Sequence, residues 1–144
     1  MIPHLLYPVM LYRENASDFF ICKDEVMLKS CNIGALKQKY YENLLVIDCA
    51  GKEYQVINAI KIGVNKKTTR WWDYLLGNYF IEINLNFDMN YMEKRDVDFV
   101  KKIIMKDFEE NFQIWREYLN INLILKRIEM VDSIQKLYAI VLHI

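Results

Sequence analysis

Apolar and polar residues alternate with two different periods along this chain, and the change of period divides it in two. At Tyr79–Phe87 the odd-numbered residues are apolar or aromatic and most residues between them are polar, which is the period of a half-buried strand. From Val97 onward apolar residues recur every three or four positions, which predicts an amphipathic helix. We therefore expect a single α+β domain over residues 1–144, β-rich over 1–90 and helical over 91–144.

The β-rich part reads as hairpins. Leu5–Tyr12 and Phe19–Lys23 predict a first hairpin, with Pro8 placing its strand at a sheet edge or bulge because proline cannot donate to a ladder. Asn43–Cys49 and Glu53–Gly63 predict a second hairpin with a tight turn between them. One face of its second strand is expected to carry Tyr54, Val56, Asn58, Ile60 and Ile62.

The helical part begins at Asp96, whose carboxylate can cap the first turn. A single long helix is predicted to run from there to Asn120. Shorter helices are predicted at Ile121–Val131 and Ser133–Leu142, with the Asp132–Ser133 pair offering a cap for the second. The core stripe of the long helix consists of Val97, Val100, Ile104, Phe108, Phe112, Trp115 and Leu119.

These elements predict an α+β fold with an antiparallel sheet of about five strands, made of hairpins in the N-terminal two-thirds. A long helix and one or two shorter helices at the C-terminus are expected to cover one face of that sheet. Strands and helices do not alternate, and neither GxGxxG nor GxxxxGK[ST] occurs, so a nucleotide-binding fold is not expected.

Charge and composition narrow the classes of partner. The charges of nineteen basic and nineteen acidic residues cancel, so we expect no nucleic-acid partner. One local exception is the group Lys66, Lys67 and Arg70 followed by two tryptophans, which combines cations with stacking surfaces as proteins that bind single-stranded nucleic acid do. No run of about eighteen apolar residues and no signal-like N-terminus are present, so no membrane association is expected. Three scattered cysteines favour a cytoplasmic location.

Catalytic, metal and cofactor sites are not predicted. The two histidines, His4 and His143, lie at opposite ends, which leaves no nearby base for a serine or cysteine nucleophile. Asp48 is most simply a turn former, and Glu109 and Glu110 a solvated pair on the outer face of the long helix. We therefore expect no enzymatic activity, no cofactor and no bound metal.

Ten tyrosines and three tryptophans are more than a core of this size requires. Tyrosine and tryptophan combine a large contact area with a polar tip and are enriched in protein interfaces. Two short regions are therefore predicted to form an exposed partner-binding surface, the alternative being a second small core under loops. The candidate residues are Tyr40, Tyr41, Arg70, Trp71, Trp72 and Tyr74.

Three features define the layout of the chain: the segment Leu45–Val56, the strand Tyr79–Phe87 and a long helix containing Trp115. This layout resembles that of small bacterial immunity proteins found beside polymorphic or contact-dependent toxins. It implies a compact cytoplasmic domain that binds and blocks one toxin, and it assigns no functional residue.

The first hypothesis is thus a non-enzymatic protein-binding domain, an immunity-like inhibitor of a partner toxin or enzyme, present as a monomer or homodimer. The alternatives are a small-ligand or enzymatic module with a pocket between sheet and helices, or a subunit that self-associates through its helical face.

Overall fold

The computed structural model describes residues 3–16, 18–32, 41–64, 82–118 and 120–143, and it confirms the predicted α+β class. The strands are β1 (Val9–Tyr12), β2 (Phe19–Cys22), β3 (Ser30–Asn32), β4 (Leu45–Asp48), β5 (Lys52–Val64) and β6 (Glu82–Lys94). The helices are α1 (Glu25–Lys29), α2 (Val97–Glu110), α3 (Phe112–Tyr118), α4 (Ile121–Met130) and α5 (Ile134–Leu142).

The six strands form one sheet in the order β2-β1-β4-β5-β6-β3, with antiparallel pairing between neighbours. Both predicted hairpins are present, as β1–β2 and β4–β5. The expected effect of Pro8 is wrong: β1 starts after Pro8 and lies in the interior of the sheet, where every residue can pair on both sides.

Each face of the sheet carries a buried cluster, although the sequence predicted helices on one face only. On the helix-side face, β1, β2 and β4 pack Met10, Ile21 and Ile47 against Ile104 and Tyr138 of the C-terminal helices. The opposite face carries a second cluster, closed by the N-terminal segment and α1. It contains Leu5, Val9, Leu28, Tyr41, Val46, Val56, Leu85 and Phe87.

Bulges change the faces of the long β5–β6 ribbon. The pairing register shifts between Val56 and Asn58, which inserts one residue into β5 and interrupts its alternation. Tyr54 and Val56 are buried, whereas Ile60 and Ile62, predicted to share their face, are exposed. The alternation predicted for this strand therefore fails beyond Val56, and β6 extends to Lys94, past the predicted end at Phe87.

The helix boundaries follow their caps. The Asp96 carboxylate accepts from the Phe99 amide at 2.8 Å and the Ser133 hydroxyl accepts from the Lys136 amide at 3.2 Å, as predicted. The predicted single helix from Asp96 to Asn120 is instead divided at Asn111. There the Asp107 carboxylate accepts from the Asn111 side-chain amide and from the Trp115 indole, which ties the two helices together across the break.

After this break the apolar stripe is only partly covered, and its last residue, Leu119, lies outside the described residues. Phe108 is buried, and Trp115 packs edge-on against it with ring centroids 4.7 Å apart, but Phe112 is exposed. No helix within the described ranges has both the length and the apolar character needed to cross a bilayer.

Candidate functional site

The helical layer ends at the boundary between β4 and β5. Strands β5 and β6 contribute no residue to the helix-side core within the described part of the chain. Cross-strand partners share a face, so Glu53 and Gln55, which pair with Ile47 and Leu45, point to the helix side. The sheet therefore presents polar residues beside the helical layer.

Glu53 is the centre of this polar region and is only 2% exposed. Its Oε2 accepts from the Tyr12 hydroxyl at 2.5 Å and from Arg95 Nε at 3.2 Å, and its Oε1 accepts from Arg95 Nη2 at 3.2 Å. The guanidinium thus binds the carboxylate with two parallel bonds, the geometry for which arginine is best suited. Both carboxylate oxygens are satisfied, as a buried charge requires.

Arg95 also resolves a charge conflict within the sheet. Glu53 and Glu93 lie directly opposite each other on β5 and β6, an arrangement that repels. Arg95 contacts both carboxylates and stacks over the Phe99 ring at 4.0 Å from its centroid. One cation therefore bridges two anions, reduces their repulsion and fixes the junction between β6 and α2.

The backbone that places Arg95 depends on the β4–β5 turn. Asp48 is fully buried and its Oδ1 accepts from the amides of Ala50 and Lys52 at 3.0 Å, which confirms the prediction that it forms the turn. Gly51 then adopts a φ of +89°, and its carbonyl accepts from the Arg95 amide at 2.7 Å. A Cβ on Gly51 would collide with the Arg95 carbonyl oxygen, so glycine is needed here.

Above Glu53 lies an open concavity of about 780 Å³. Leu45 and Glu53 are its buried floor, and Met92, a bulge residue that is 50% exposed, stands on its wall. The described residues that line it are Arg13, Glu14, Asn15, Ala16, Glu42, Asn43, Leu45, Glu53, Gln55, Met92, Glu93 and Arg95. Six of these twelve are charged, three carry amides and three are apolar.

The electrostatics of the concavity favour a structural rather than a proton-transfer role for Glu53 and Tyr12. Burial, together with the neighbouring Glu53 carboxylate, raises the pKa of Tyr12 far above its ordinary value, so the phenol stays a donor at neutral pH. The hydrogen bonds that Arg95 donates to Glu53 likewise raise the pKa of Arg95. A general base must come within hydrogen-bond reach of the proton that it removes, whereas Glu53 is 2% exposed and its carboxylate already accepts three hydrogen bonds from Tyr12 and Arg95.

Of the predicted partner-binding residues, only Tyr41 lies in the described part of the chain. Tyr41 is 7% exposed and packs on Phe87 with ring centroids 5.0 Å apart, so the expectation that it is exposed is wrong and the core alternative holds for it. Tyr40, Arg70, Trp71, Trp72 and Tyr74 lie outside the described residues.

The described side chains include neither a thiol activated by a lowered pKa nor a cluster of metal ligands. Burial raises the pKa of Cys22 to about 12, and burial together with the nearby Asp48 raises that of Cys49, so both thiols stay protonated at neutral pH. Within the described ranges no three histidine, cysteine, aspartate or glutamate side chains come together in a group that could hold a metal ion.

Sequence reasoning missed Glu53, Arg95 and Tyr12. Glu53 and Arg95 are separated by 42 positions, and nothing near either residue in the sequence indicates its partner. A charged residue at the start of a strand is ordinarily solvated, and Glu53 is buried only because Tyr12 and Arg95 reach it from other elements. One sequence signal was available: Gly51, in the turn just before Glu53, indicates a close backbone approach at this point.

Comparisons of the chain with protein-family models, with curated proteins and with solved structures found no match. No relative therefore assigns a role to the residues of the concavity.

Proposed function

We propose that this chain is a non-enzymatic protein-binding domain of the immunity type, which binds a partner toxin or enzyme through the concavity and blocks it. The observation that carries the proposal is the composition of the lining. Pockets for small organic ligands are mostly enclosed and apolar. This concavity is open, and nine of its twelve described lining residues are charged or carry an amide. A surface loop of a protein matches such a mixture better than a drug-sized molecule does.

The rigid floor supports the same proposal. Glu53 is held by Tyr12 and by two bonds from Arg95, so the floor need not be ordered when a partner arrives. Preorganisation of this kind reduces the entropic cost of association. The exposed charges around the rim are all carboxylates, those of Glu14, Glu42 and Glu93. They would complement a basic partner surface, and such complementarity governs partner choice and association rate.

The test is affinity capture from a lysate of the source cells with three baits: the wild-type chain, Met92→Arg and Met130→Arg. Both substitutions replace an exposed methionine by arginine and differ only in position. Met92 stands in the concavity, whereas Met130 is 85% exposed on α4 and does not line it. A specific partner should be recovered with wild type and Met130→Arg and reduced roughly tenfold with Met92→Arg, the effect of losing one well-packed contact. Equal recovery with all three baits would refute the proposal.

A second candidate is self-association through the helical layer. Phe112 and Ile114 on α3 and Leu123 on α4 are exposed apolar residues. Size-exclusion chromatography with light scattering over a range of concentrations tests it. This candidate predicts a concentration-dependent dimer that Ile114→Lys abolishes, and a constant monomer mass would exclude it.

A further inference from the structure

A second cavity lies on the opposite face of the sheet, apart from the concavity. It has a volume of about 200 Å³ and lies between the N-terminal segment, α1 and β6. Its apolar lining consists of Leu5, Leu28, Phe87 and Met89, all buried members of the opposite-face core. For comparison, an engineered apolar cavity of about 150 Å³ in another protein stays dry and binds benzene.

The mouth of this cavity is charged but balanced. Glu25 and Lys29 line it and form an ion pair one helical turn apart on α1. A charged ligand would lose its hydration on entering and would meet no uncompensated opposite charge. The cavity is therefore suited to a neutral molecule.

Two polar side chains on the cavity wall, those of Tyr7 and the exposed His4, have no hydrogen-bond partner among the described residues. Tyr7 is half-buried and lines the cavity, and no hydrogen bond joins its hydroxyl to any residue in the described part of the chain. A phenol in an apolar setting ordinarily finds a hydrogen-bond partner. The Tyr7 hydroxyl is open to solvent rather than buried without a partner, and it would donate a hydrogen bond to a ligand that carries an acceptor.

We propose that this cavity binds a neutral, single-ring aromatic molecule bearing one hydrogen-bond acceptor, with the ring against Phe87 and Met89 and the acceptor at the Tyr7 hydroxyl. Aromatic rings and a methionine sulfur both interact favourably with a bound ring. The site does not depend on the concavity or on the protein-binding proposal.

The probe is acetophenone, and its isostere α-methylstyrene replaces the carbonyl oxygen by a methylene group. The methionine methyl groups are labelled with ¹³C and followed by NMR, with Met89 in the cavity wall as the reporter and Met10, buried on the other face, as the internal control. Acetophenone should shift the Met89 signal saturably, with a Kd on the order of 1 mM or tighter, and leave Met10 unchanged. Benzoate should give no saturable shift over the same range.

Two variants complete the test. Tyr7→Phe should weaken acetophenone binding roughly threefold to tenfold, the effect of one hydrogen bond, without weakening α-methylstyrene. Leu28→Phe should fill the cavity and abolish the response to both molecules; if it does not fold, the Tyr7→Phe comparison decides alone. The proposal is overturned if Met89 does not respond up to the solubility limit, if benzoate binds as well as acetophenone, or if Tyr7→Phe affects both neutral probes equally.

Discussion

Removing Arg95 should destabilise the protein more than removing the charge of Glu53, its partner in the buried ion pair. Glu53 is 2% exposed, whereas the Arg95 side chain is 27% exposed and also contacts Glu93. Removing Arg95 leaves a buried carboxylate with Tyr12 as its remaining partner. Removing the charge of Glu53 leaves a partly solvated guanidinium that still forms an ion pair with Glu93.

The magnitudes follow from this difference. Deleting one partner of a fully buried pair costs about 3–5 kcal/mol, and the partial exposure of Arg95 lowers our expectation for Arg95→Met to about 2–4 kcal/mol. Methionine keeps an aliphatic stem but loses the guanidinium stack over Phe99, which is worth about 0.5–1 kcal/mol at a partly exposed site and is included in this range. Glu53→Gln keeps the shape and should cost about 1–2 kcal/mol. Adding Glu53→Gln to Arg95→Met removes the stranded charge and should restore about 1–2 kcal/mol relative to Arg95→Met alone.

Urea unfolding followed by circular dichroism measures all four proteins. With a slope of roughly 2 kcal/mol per molar urea, Arg95→Met should lower the midpoint by about 1–2 M. The reasoning is refuted if Glu53→Gln destabilises more than Arg95→Met, or if the double variant is less stable than both single variants.

Three further predictions concern the supports of the fold. Burial raises the pKa of Asp107 above its ordinary value of 3.8, so the native state binds the proton of this carboxyl more tightly than the unfolded state does. The contribution of Asp107 to stability therefore falls as pH rises from about 4 through the raised pKa. Asp107→Asn should flatten that part of the curve of unfolding free energy against pH, and an unchanged slope would contradict this prediction. Gly51→Ala should cost about 1–3 kcal/mol in urea unfolding because of its positive φ and the Arg95 carbonyl, and a neutral effect would show that the turn adapts. Tyr138→Phe removes a buried bond of 3.0 Å to the Ile47 carbonyl and should cost about 0.5–1.5 kcal/mol, measured in the same way, whereas a stabilised variant would be inconsistent with that bond.

The local features of this fold could be predicted from sequence because they depend on neighbours in the chain. Asp96 and Ser133 cap helices through amides three residues away, and Asp48 closes its turn through amides two and four residues away. The hairpins follow from alternation and turn residues in the same way.

The predictions that failed concern contacts between residues distant in sequence, or β-bulges, which insert a residue without leaving a pattern in the sequence. The bulge after Val56 turns Ile60 outward, although the sequence alternates through it. Tyr41 is buried because Phe87, 46 positions away, reaches it. The same holds for the candidate site, where a buried glutamate is stable only because a tyrosine and an arginine arrive from other elements.

The measurement that tests the central claim most directly is oxidation footprinting of the chain with and without its captured partner. Dilute peroxide converts exposed methionines to sulfoxides, which mass spectrometry counts residue by residue. Met92, in the concavity, and Met130, on α4, are both exposed in the free chain and should both be oxidised. A partner seated in the concavity should slow oxidation of Met92 at least about fivefold and leave Met130 unchanged. Unchanged oxidation of Met92 in the complex, or protection of Met130 instead, would contradict the account.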